Sequence, residues 1–368
     1  MKINIYSFFS GGGFLDLGFE TANFNIVLVN EFDKDFMEIY KYSRKKMHLP
    51  KPKYGYHNCD IHDFLRGDGK KQLKQFLEID RLNNNIVGFI GGPPCPDFSV
   101  AGKNKGISGE NGRLTTLYKR VILENNPDFF LLENVKGFWA TKKHRIEYDR
   151  LKQAFKRKGY VLVDNLANAL EYGVPQFRER IFLFGINKSL FKTDDKMKEF
   201  QQSFNWGKDN TFNLEKILSL PWPTTTPYSY NSQLPMPKEI IPCLTTQFWF
   251  DKNDVTTHEN SSDYFQPYSD KFKIIAEGDI AKKSFKRLHR WRYSPTVAYG
   301  NNEVHLHPYL PRRLSVAEAL SLQSLPKGFM IKENISLTKK FKLIGNGVPY
   351  LMGKGIAEEI KLLLNNID

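Results

Sequence analysis

The run Gly91-Gly92-Pro93-Pro94-Cys95-Pro96-Asp97-Phe98-Ser99 constrains this chain more than any other stretch. Directly before it, residues 86–90 read Ile-Val-Gly-Phe-Ile, a short apolar segment of the kind buried as a strand. A strand ending in Gly-Gly-Pro-Pro cannot continue, because proline lacks the ladder donor and pushes the residue before it toward extended geometry. The chain leaves the sheet there as a stiff loop with a thiol at its tip. Ligand sites of open α/β sheets lie beyond the carboxyl ends of strands, so Cys95 sits where a nucleophile is useful. A free cysteine is more often a small buried hydrophobe, but the flanking prolines and glycines argue against that here.

At 368 residues the chain exceeds one average domain, and one large plus one smaller domain is expected. A formal charge of +14 points to a polyanionic partner or an acidic surface, although many basic proteins bind no nucleic acid. Cys59, Cys95 and Cys243 form no Cys-x-x-Cys pair, so neither a metal site nor a disulfide framework is expected. The first residues run straight into a strand pattern without a signal peptide, and no apolar run reaches transmembrane length. These features predict a soluble intracellular protein.

Residues 3–9 read as a first strand, Ser10-Gly11-Gly12-Gly13 as a turn, and the residues from Phe14 as a helix. The turn is not the phosphate-binding Gly-x-Gly-x-x-Gly, because Phe14 and Asp16 fall where that spacing wants glycine. Glycines there let a ligand approach the backbone closely, and a helix start favours a carboxylate. Strand 26–30 ends at Glu31, twenty positions after Gly11, the usual offset of a ribose-hydroxyl acceptor. A third loop, Asn58-Cys59-Asp60-Ile61, could offer a carboxylate to an adenine amino group, although Asp60 alone reads as a turn residue. Together these pieces suit an adenosine ligand without phosphates, namely S-adenosyl-L-methionine.

Residues 102–113 are rich in Gly, Lys, Asn and Ser and read as a lid over the thiol. A helix over 114–125 leads to strand 129–132, which ends at Glu133-Asn134-Val135. A carboxylate straight after an apolar strand is costly unless it has a partner or a task. A basic amphipathic helix (144–158) and a strand (160–164) precede Gln176-Phe177-Arg178-Glu179-Arg180 and strand 181–186. In extended geometry Gln176, Arg178 and Arg180 share one face. From 187 the texture changes to proline clusters and aromatics such as Phe248-Trp249-Phe250. Residues 282–292 then place Lys282, Lys283, Lys286, Arg287, His289, Arg290 and Arg292 among aromatics. Such a run is usually a solvated face, whereas beside a base-modifying site it suits phosphate and base contacts. Ser315-Val316-Ala317-Glu318 is a capping box, and a last helix follows Gly345-Asn346-Gly347-Val348-Pro349 to about residue 364.

GGPPCPDFSVAG, Glu-Asn-Val at 133–135, Gln-x-Arg-x-Arg at 176–180 and Gly-Asn-x-Val-Pro at 345–349 resemble, in order, the motifs of the bacterial cytosine-C5 DNA methyltransferases. The resemblance implies an α/β fold: a Rossmann-like S-adenosylmethionine-dependent domain over 1–186, completed by about 340–368. A smaller, irregular DNA-recognition domain would span 187–339. It implies Cys95 as the nucleophile, Glu133 as its partner at the ring, and Arg180 with Arg178 on the base. It implies cofactor contacts from Phe9, Ser10, Gly11, Gly12, Gly13, Glu31, Phe32, Asp60, Ile61, Pro93, Asn346 and Val348. Ser99, Lys103, Lys105, Arg113, Gln176, Lys286, Arg287, Arg290 and Arg292 would meet double-stranded DNA. Two departures stand out: the family usually has glycine at Phe14, and commonly Gln-Gly or a similar pair at Pro96-Asp97. The expected activity is transfer of a methyl group to C5 of a flipped-out cytosine, in a bacterial cytoplasm, either paired with a restriction endonuclease or as an orphan methylase, with no metal. Rival readings are a related tRNA methyltransferase, which would lack so long a recognition region, and a silent DNA-binding regulator. A nicotinamide dehydrogenase is more distant still, because the phosphate fingerprint is missing.

Overall fold

Strands of β-branched and aromatic residues alternate with amphipathic helices through the first half of the chain, and that alternation builds a parallel sheet covered on both faces. The structure, a computed structural model, describes residues 2–94, 110–209, 211–282, 284–297 and 304–366. In chain order the sheet domain contains β1 (Ile3–Phe8), α1 (Phe14–Thr21), β2 (Asn25–Asn30), α2 (Lys34–Lys46), β3 (Tyr56–His57), α3 (Gly67–Leu82) and β4 (Ile86–Gly91). It continues with α4 (Glu110–Asn125), β5 (Phe129–Val135), α5 (Lys136–Ala140), α6 (Lys142–Arg157), β6 (Tyr160–Asn168) and β7 (Glu179–Asn187). The seven strands lie in the order β3-β2-β1-β4-β5-β7-β6. Only β7 pairs antiparallel with its neighbours. The strand order reverses between β1 and β4, the place where open sheets leave a crevice.

Successive side chains of the central strands feed two different cores. Ile86, Ile90, Phe129 and Leu131 pack on one face with Leu15 and Phe19 of α1 and with Met352, Ile356 and Ile360 of the last helix. Val87, Phe89, Phe130 and Leu132 pack on the other with α3, α4 and α6, through Leu73, Leu77, Val121, Tyr148 and Phe155. Strands buried on both faces explain why the sequence shows unbroken apolar runs there. The strands over 129–132, 160–164 and 181–186 extend further than those runs, because ladder pairing carries polar ends along.

Beyond β7 come α7 (Asp194–Ser203), α8 (Leu214–Ser219), α9 (Thr246–Lys252), α10 (Lys271–Ile274), the short parallel pair β8 (Lys286–Arg287) and β9 (His305–Leu306), α11 (Val316–Leu322), α12 (Leu337–Asn346) and α13 (Tyr350–Asn366). Phe200 and Trp206 are buried in the same cluster as β5 and β7. Val316, Leu320, Phe341 and Ile344 are buried against Phe14 and Leu17 of α1 and Phe36 and Ile39 of α2. The expected capping box is present: Ser315 Oγ accepts from the Glu318 N–H (3.2 Å), and Glu318 Oε2 accepts from the Ser315 N–H (2.8 Å). Glu318 also binds Arg312 at 2.7 Å and faces His307 at 3.5 Å.

Between these segments the backbone is irregular and is organised by buried polar side chains. Burial pushes His305 down to about 3 and His307 down to about 4. Histidines held neutral inside take up protons only on unfolding, so stability is lost as pH falls from about 6.5 toward 4. Each contributes about 1.4 kcal/mol per pH unit within its window. We expect His307→Gln, which keeps an acceptor for the Tyr309 and Leu310 N–H groups now bound to Nδ1, to flatten that acid slope by about one proton. Thermal or urea unfolding between pH 7 and pH 4 measures it; an unchanged slope sinks the assignment.

Candidate active site

The crevice beyond β1 is floored by the turn 9–13. Gly13 caps α1 at φ +77°, and an added Cβ would lie 2.3 Å from the Tyr40 ring, so only glycine fits. Arg44, buried behind the turn, donates to the Gly12 carbonyl (3.1 Å), the Gly13 carbonyl (2.6 Å) and Glu20 (3.0 Å). Its guanidinium stacks on Tyr40, whose hydroxyl donates to Asp16 (2.9 Å). Ser7 Oγ donates to the other Asp16 oxygen at 2.8 Å. Asp16, Glu20, Tyr40 and Arg44 support the site without appearing among the expected residues. One signal existed: Asp16 is an acid inside an otherwise apolar helix start, and burial raises its pKa.

Glu31 projects from the end of β2. Its carboxylate accepts from the Gly11 N–H and the Asp33 N–H, both at 2.8 Å, and burial raises its pKa against those bonds. An added Cβ at Gly11 would enter open space. Phe32 beside it leaves 73% of its surface exposed, unusual for a ring that size. Asp60 is exposed and its Oδ1 caps a short helical turn through the His62 N–H (2.8 Å), while Ile61 is buried. An acidic acceptor, an open glycine backbone and a free aromatic face fit an adenosine-type ligand, and the crevice lacks the phosphate fingerprint.

The second half of the candidate site lies where β4 and β5 end and β7 begins, side by side. Glu133 is only 7% exposed, and burial raises its pKa while Arg180 and Arg178 pull it down. Arg180 Nε meets Glu133 Oε1 at 3.0 Å. Gly92, the first residue past β4, runs so close that an added Cβ would lie 2.6 Å from Glu133 Oε2. The loop that carries the thiol therefore departs against this carboxyl. Cys95, the Pro96-Asp97 departure, Ser99, Lys103, Lys105 and Lys283 lie outside the described residues. Of the lid expected over 102–113, residues 110–113 instead form the first turn of α4, with Arg113 exposed.

Several expected contacts need correction. Arg178 is fully buried; its guanidinium donates to the carbonyls of Val297 (3.1 Å), Gly345 (2.9 Å) and Gly347 (2.9 Å), so it fastens backbone and does not reach a base. Gln176 is buried too, bound to Leu322, Gln323 and Val297. Arg287 is spent on the carbonyls of Phe272, Ile275, His307 and Leu310 beneath the Tyr228 ring, and burial lowers its pKa to about 10. Arg290 makes a two-pronged pair with buried Glu277 (2.9 and 2.8 Å). All four are buried, so none of them presents a donor to DNA in this conformation. Lys282 is exposed, and Lys286 and Arg292 are half-buried. Asn346 is exposed at the end of α12, and Val348 is buried in the core on the α13 face of the sheet.

Residues 3–362 match the family model of the C-5 cytosine-specific DNA methylases. The chain belongs to that family. It is 53% identical over 367 residues to Type II methyltransferase M.NmeDI of Neisseria meningitidis serogroup C, covering 99% of this chain and 85% of the relative. It is 29% identical to Type II methyltransferase M.NgoPII of Neisseria gonorrhoeae, covering 98% of this chain and 96% of that one. The fold is shared with a crystal structure of a putative prophage-encoded DNA modification methyltransferase from E. coli (TM-score 0.63, 20% identity, 99% and 100% covered). It is shared too with a Spodoptera frugiperda DNMT2 mutant (TM-score 0.58, 16% identity, 98% and 99% covered). This methylase is thus a DNA cytosine-C5 methyltransferase on an S-adenosylmethionine-dependent fold. Among the described residues no helix is long and apolar enough to cross a membrane, and no cluster of His, Cys, Asp and Glu could hold a metal.

The two arginines of Gln-x-Arg-x-Arg should separate cleanly on substitution. Arg178→Met should cost about 1–3 kcal/mol for each backbone carbonyl left without a donor. Arg180→Met should cost less urea stability than Arg178→Met, because Glu133 can take up a proton once its partner is gone, and should lower methyl transfer about a hundredfold, the loss of one preorganised donor at a reacting ring. Equal stability losses in the two variants would sink this division of labour.

Proposed function

We propose that this methylase converts cytosine to 5-methylcytosine within a specific duplex site, with Cys95, Glu133 and Arg180 as the groups that act on a flipped-out base. The approach of Gly92 to the buried Glu133–Arg180 pair carries this reading, since it brings the root of the thiol loop to a carboxyl with a raised pKa. C5 of cytosine is a poor nucleophile until C6 has been attacked. Cys95 as thiolate adds to C6, while the Glu133 carboxyl hydrogen-bonds to or protonates N3 so that negative charge does not build up there. Arg180 orients Glu133 and holds the O2 edge of the ring. S-adenosyl-L-methionine, when bound, supplies the methyl group that C5 accepts. Loss of the C5 proton and departure of the Cys95 thiolate from C6 restore the aromatic ring.

Glu31 would take the ribose hydroxyls, the turn 9–13 would admit the ligand against its backbone, and Phe32 would cover the adenine. Asp60, Ile61, Pro93, Asn346 and Val348 would complete that pocket. The phosphate contacts we assign to Arg113, Lys282, Lys286 and Arg292, with Ser99, Lys103 and Lys105 on the thiol loop. The recognition region over 187–339 would read the sequence, in a cell compartment that holds the chromosome. The relatives' Type II names support pairing with a restriction endonuclease.

Duplex carrying 5-fluorocytosine at the target should give a covalent adduct, because fluorine cannot leave as a proton does. Cys95→Ala should abolish the adduct and retain DNA binding; methylation by that variant would remove the mechanism. Glu31→Ala should weaken S-adenosylmethionine binding by about 1.5–3 kcal/mol, the worth of hydrogen bonds to a charged acceptor. Calorimetry on the folded variant reads it, and unchanged affinity would dismiss Glu31 from the pocket.

A further inference from the structure

Two glutamines, Gln176 and Gln323, lie fully buried between the recognition region and the cofactor side of the molecule. Their amides form a chain that runs one way. The Val297 N–H donates to Gln176 Oε1 (3.2 Å), and Gln176 Nε2 donates to Gln323 Oε1 (3.3 Å) and to the Leu322 carbonyl (3.1 Å). Gln323 Nε2 donates in turn to the Ile344 carbonyl. Neither amide can be reversed, because Val297 N–H only donates while the Leu322 and Ile344 carbonyls only accept. Hydrogen bonds joined head to tail in a dry interior polarise one another, and each is lost at full cost if its neighbour moves away.

The ends of the chain matter. Residues 294–297 follow directly on Arg292 and pair with the entry to β7: the Ser294 N–H donates to the Pro175 carbonyl (2.9 Å), the Phe177 N–H to the Ser294 carbonyl (2.8 Å), and Thr296 Oγ1 to the Phe177 carbonyl (2.6 Å). Ile344 lies in the last turn of α12, which leads into residues 347–348 and which Arg178 also grips through Gly345 and Gly347 while holding Val297 with its other nitrogen. Residue 297 therefore cannot shift without pulling on the turn at 344–347.

We propose that Gln323 is a positioning residue which, through Gln176, couples DNA binding at the recognition region to cofactor binding at the 344–348 turn. This rests on the function proposed above. Neither glutamine touches substrate, and a core of this kind accepts a methionine of similar length, so the relay can be cut without leaving a hole.

The test is a linkage measurement with S-adenosylhomocysteine and a duplex whose cytosine the wild-type enzyme methylates, located by methylation mapping in an expressing host. Calorimetry should show S-adenosylhomocysteine binding at least fivefold tighter on the wild-type DNA complex than on the free enzyme. Gln323→Met should bind either ligand alone within about twofold of wild type and lose that tightening. Gln176→Met should lose the same factor, and the double variant no more than either single one. A folded Gln323→Met that retains the tightening overturns the proposal, as does a wild type with none. Hydrogen exchange on the unmodified enzyme gives a readout free of folding defects. DNA alone should slow exchange at residues 344–348, and unchanged exchange there overturns the coupling. If the wild type methylates no cytosine at all, the functional reading falls and takes this one with it; if it methylates and coupling survives in Gln323→Met, only the coupling falls.

Discussion

The buried Glu133–Arg180 pair depends on one inverted strand. β7 runs antiparallel to β5, so its first residues lie beside the last residues of β5: Val135 pairs with Arg180 and Glu133 with Phe182. Glu133 and Arg180 then stand as diagonal neighbours on one face of the sheet, close enough for their 3.0 Å contact. A parallel β7 would bring its other end, at Ile186, to that edge and carry the Gln-x-Arg-x-Arg run to the far side. Burial that raises the Glu133 pKa and the Arg180 charge that restrains it both follow from this register. So does the nearness of Gly92, since β4 ends level with β5 through the Gly91–Leu132 pairing.

A second regularity joins parts of the chain that share no sequence. Arg44, Arg178 and Arg287 are the largest fully buried side chains, and all three are spent mainly on backbone carbonyls. Each sits where regular structure gives out: the turn 12–13, the junction of 297 with the end of α12 at 345–347, and the end of α10 at 272–275 with the loop at 307–310. Irregular backbone inside a protein has acceptors with no ladder partner, and a guanidinium offers five donors in a rigid fork that can serve several at once. The desolvation of the charge is offset by carbonyl dipoles and by stacking on Tyr40 or Tyr228. Lysine, with one compact ammonium, could not span those carbonyls.

That regularity also explains what could be read from sequence and what could not. Apolar runs announced β1, β2, β4, β5 and β7, the capping box announced α11, and glycines and prolines announced the turn at 10–13 and the exit after β4, because each is a local rule about backbone. That Glu133 has a partner was legible as well, since a carboxylate straight after four apolar residues is costly without one. Side-chain direction in the irregular region was not. The run over 282–292 looks like a cationic surface, yet Arg287 and Arg290 turn inward, toward Glu277 and toward carbonyls contributed by residues up to 58 positions away. Charge counts carry no information about the side on which a long side chain lies. Alternation likewise put Gln176, Arg178 and Arg180 on one face, but β7 begins only at Glu179, and Gln176 and Arg178 before it are claimed by the segments at 294–297 and 322–347.

Phe14, where the family usually has glycine, shows how a local departure is absorbed by distant packing. Its ring lies edge-on to Phe329 with centroids 5.1 Å apart, in the cluster that joins α1 to α11 and α12. It also presses on Gly347, where an added Cβ would lie 2.2 Å from the ring. Gly347 itself has φ −64°, a conformation open to any residue, so glycine is required there by the ring and not by the backbone. Bulk at 14 and its absence at 347 are thus one arrangement in two places. The start of α1 leans on the return segment that Arg178 and Gln323 hold from the other side, so the turn at 9–13, the entry to β7 and the segment at 294–297 are braced against the same few residues.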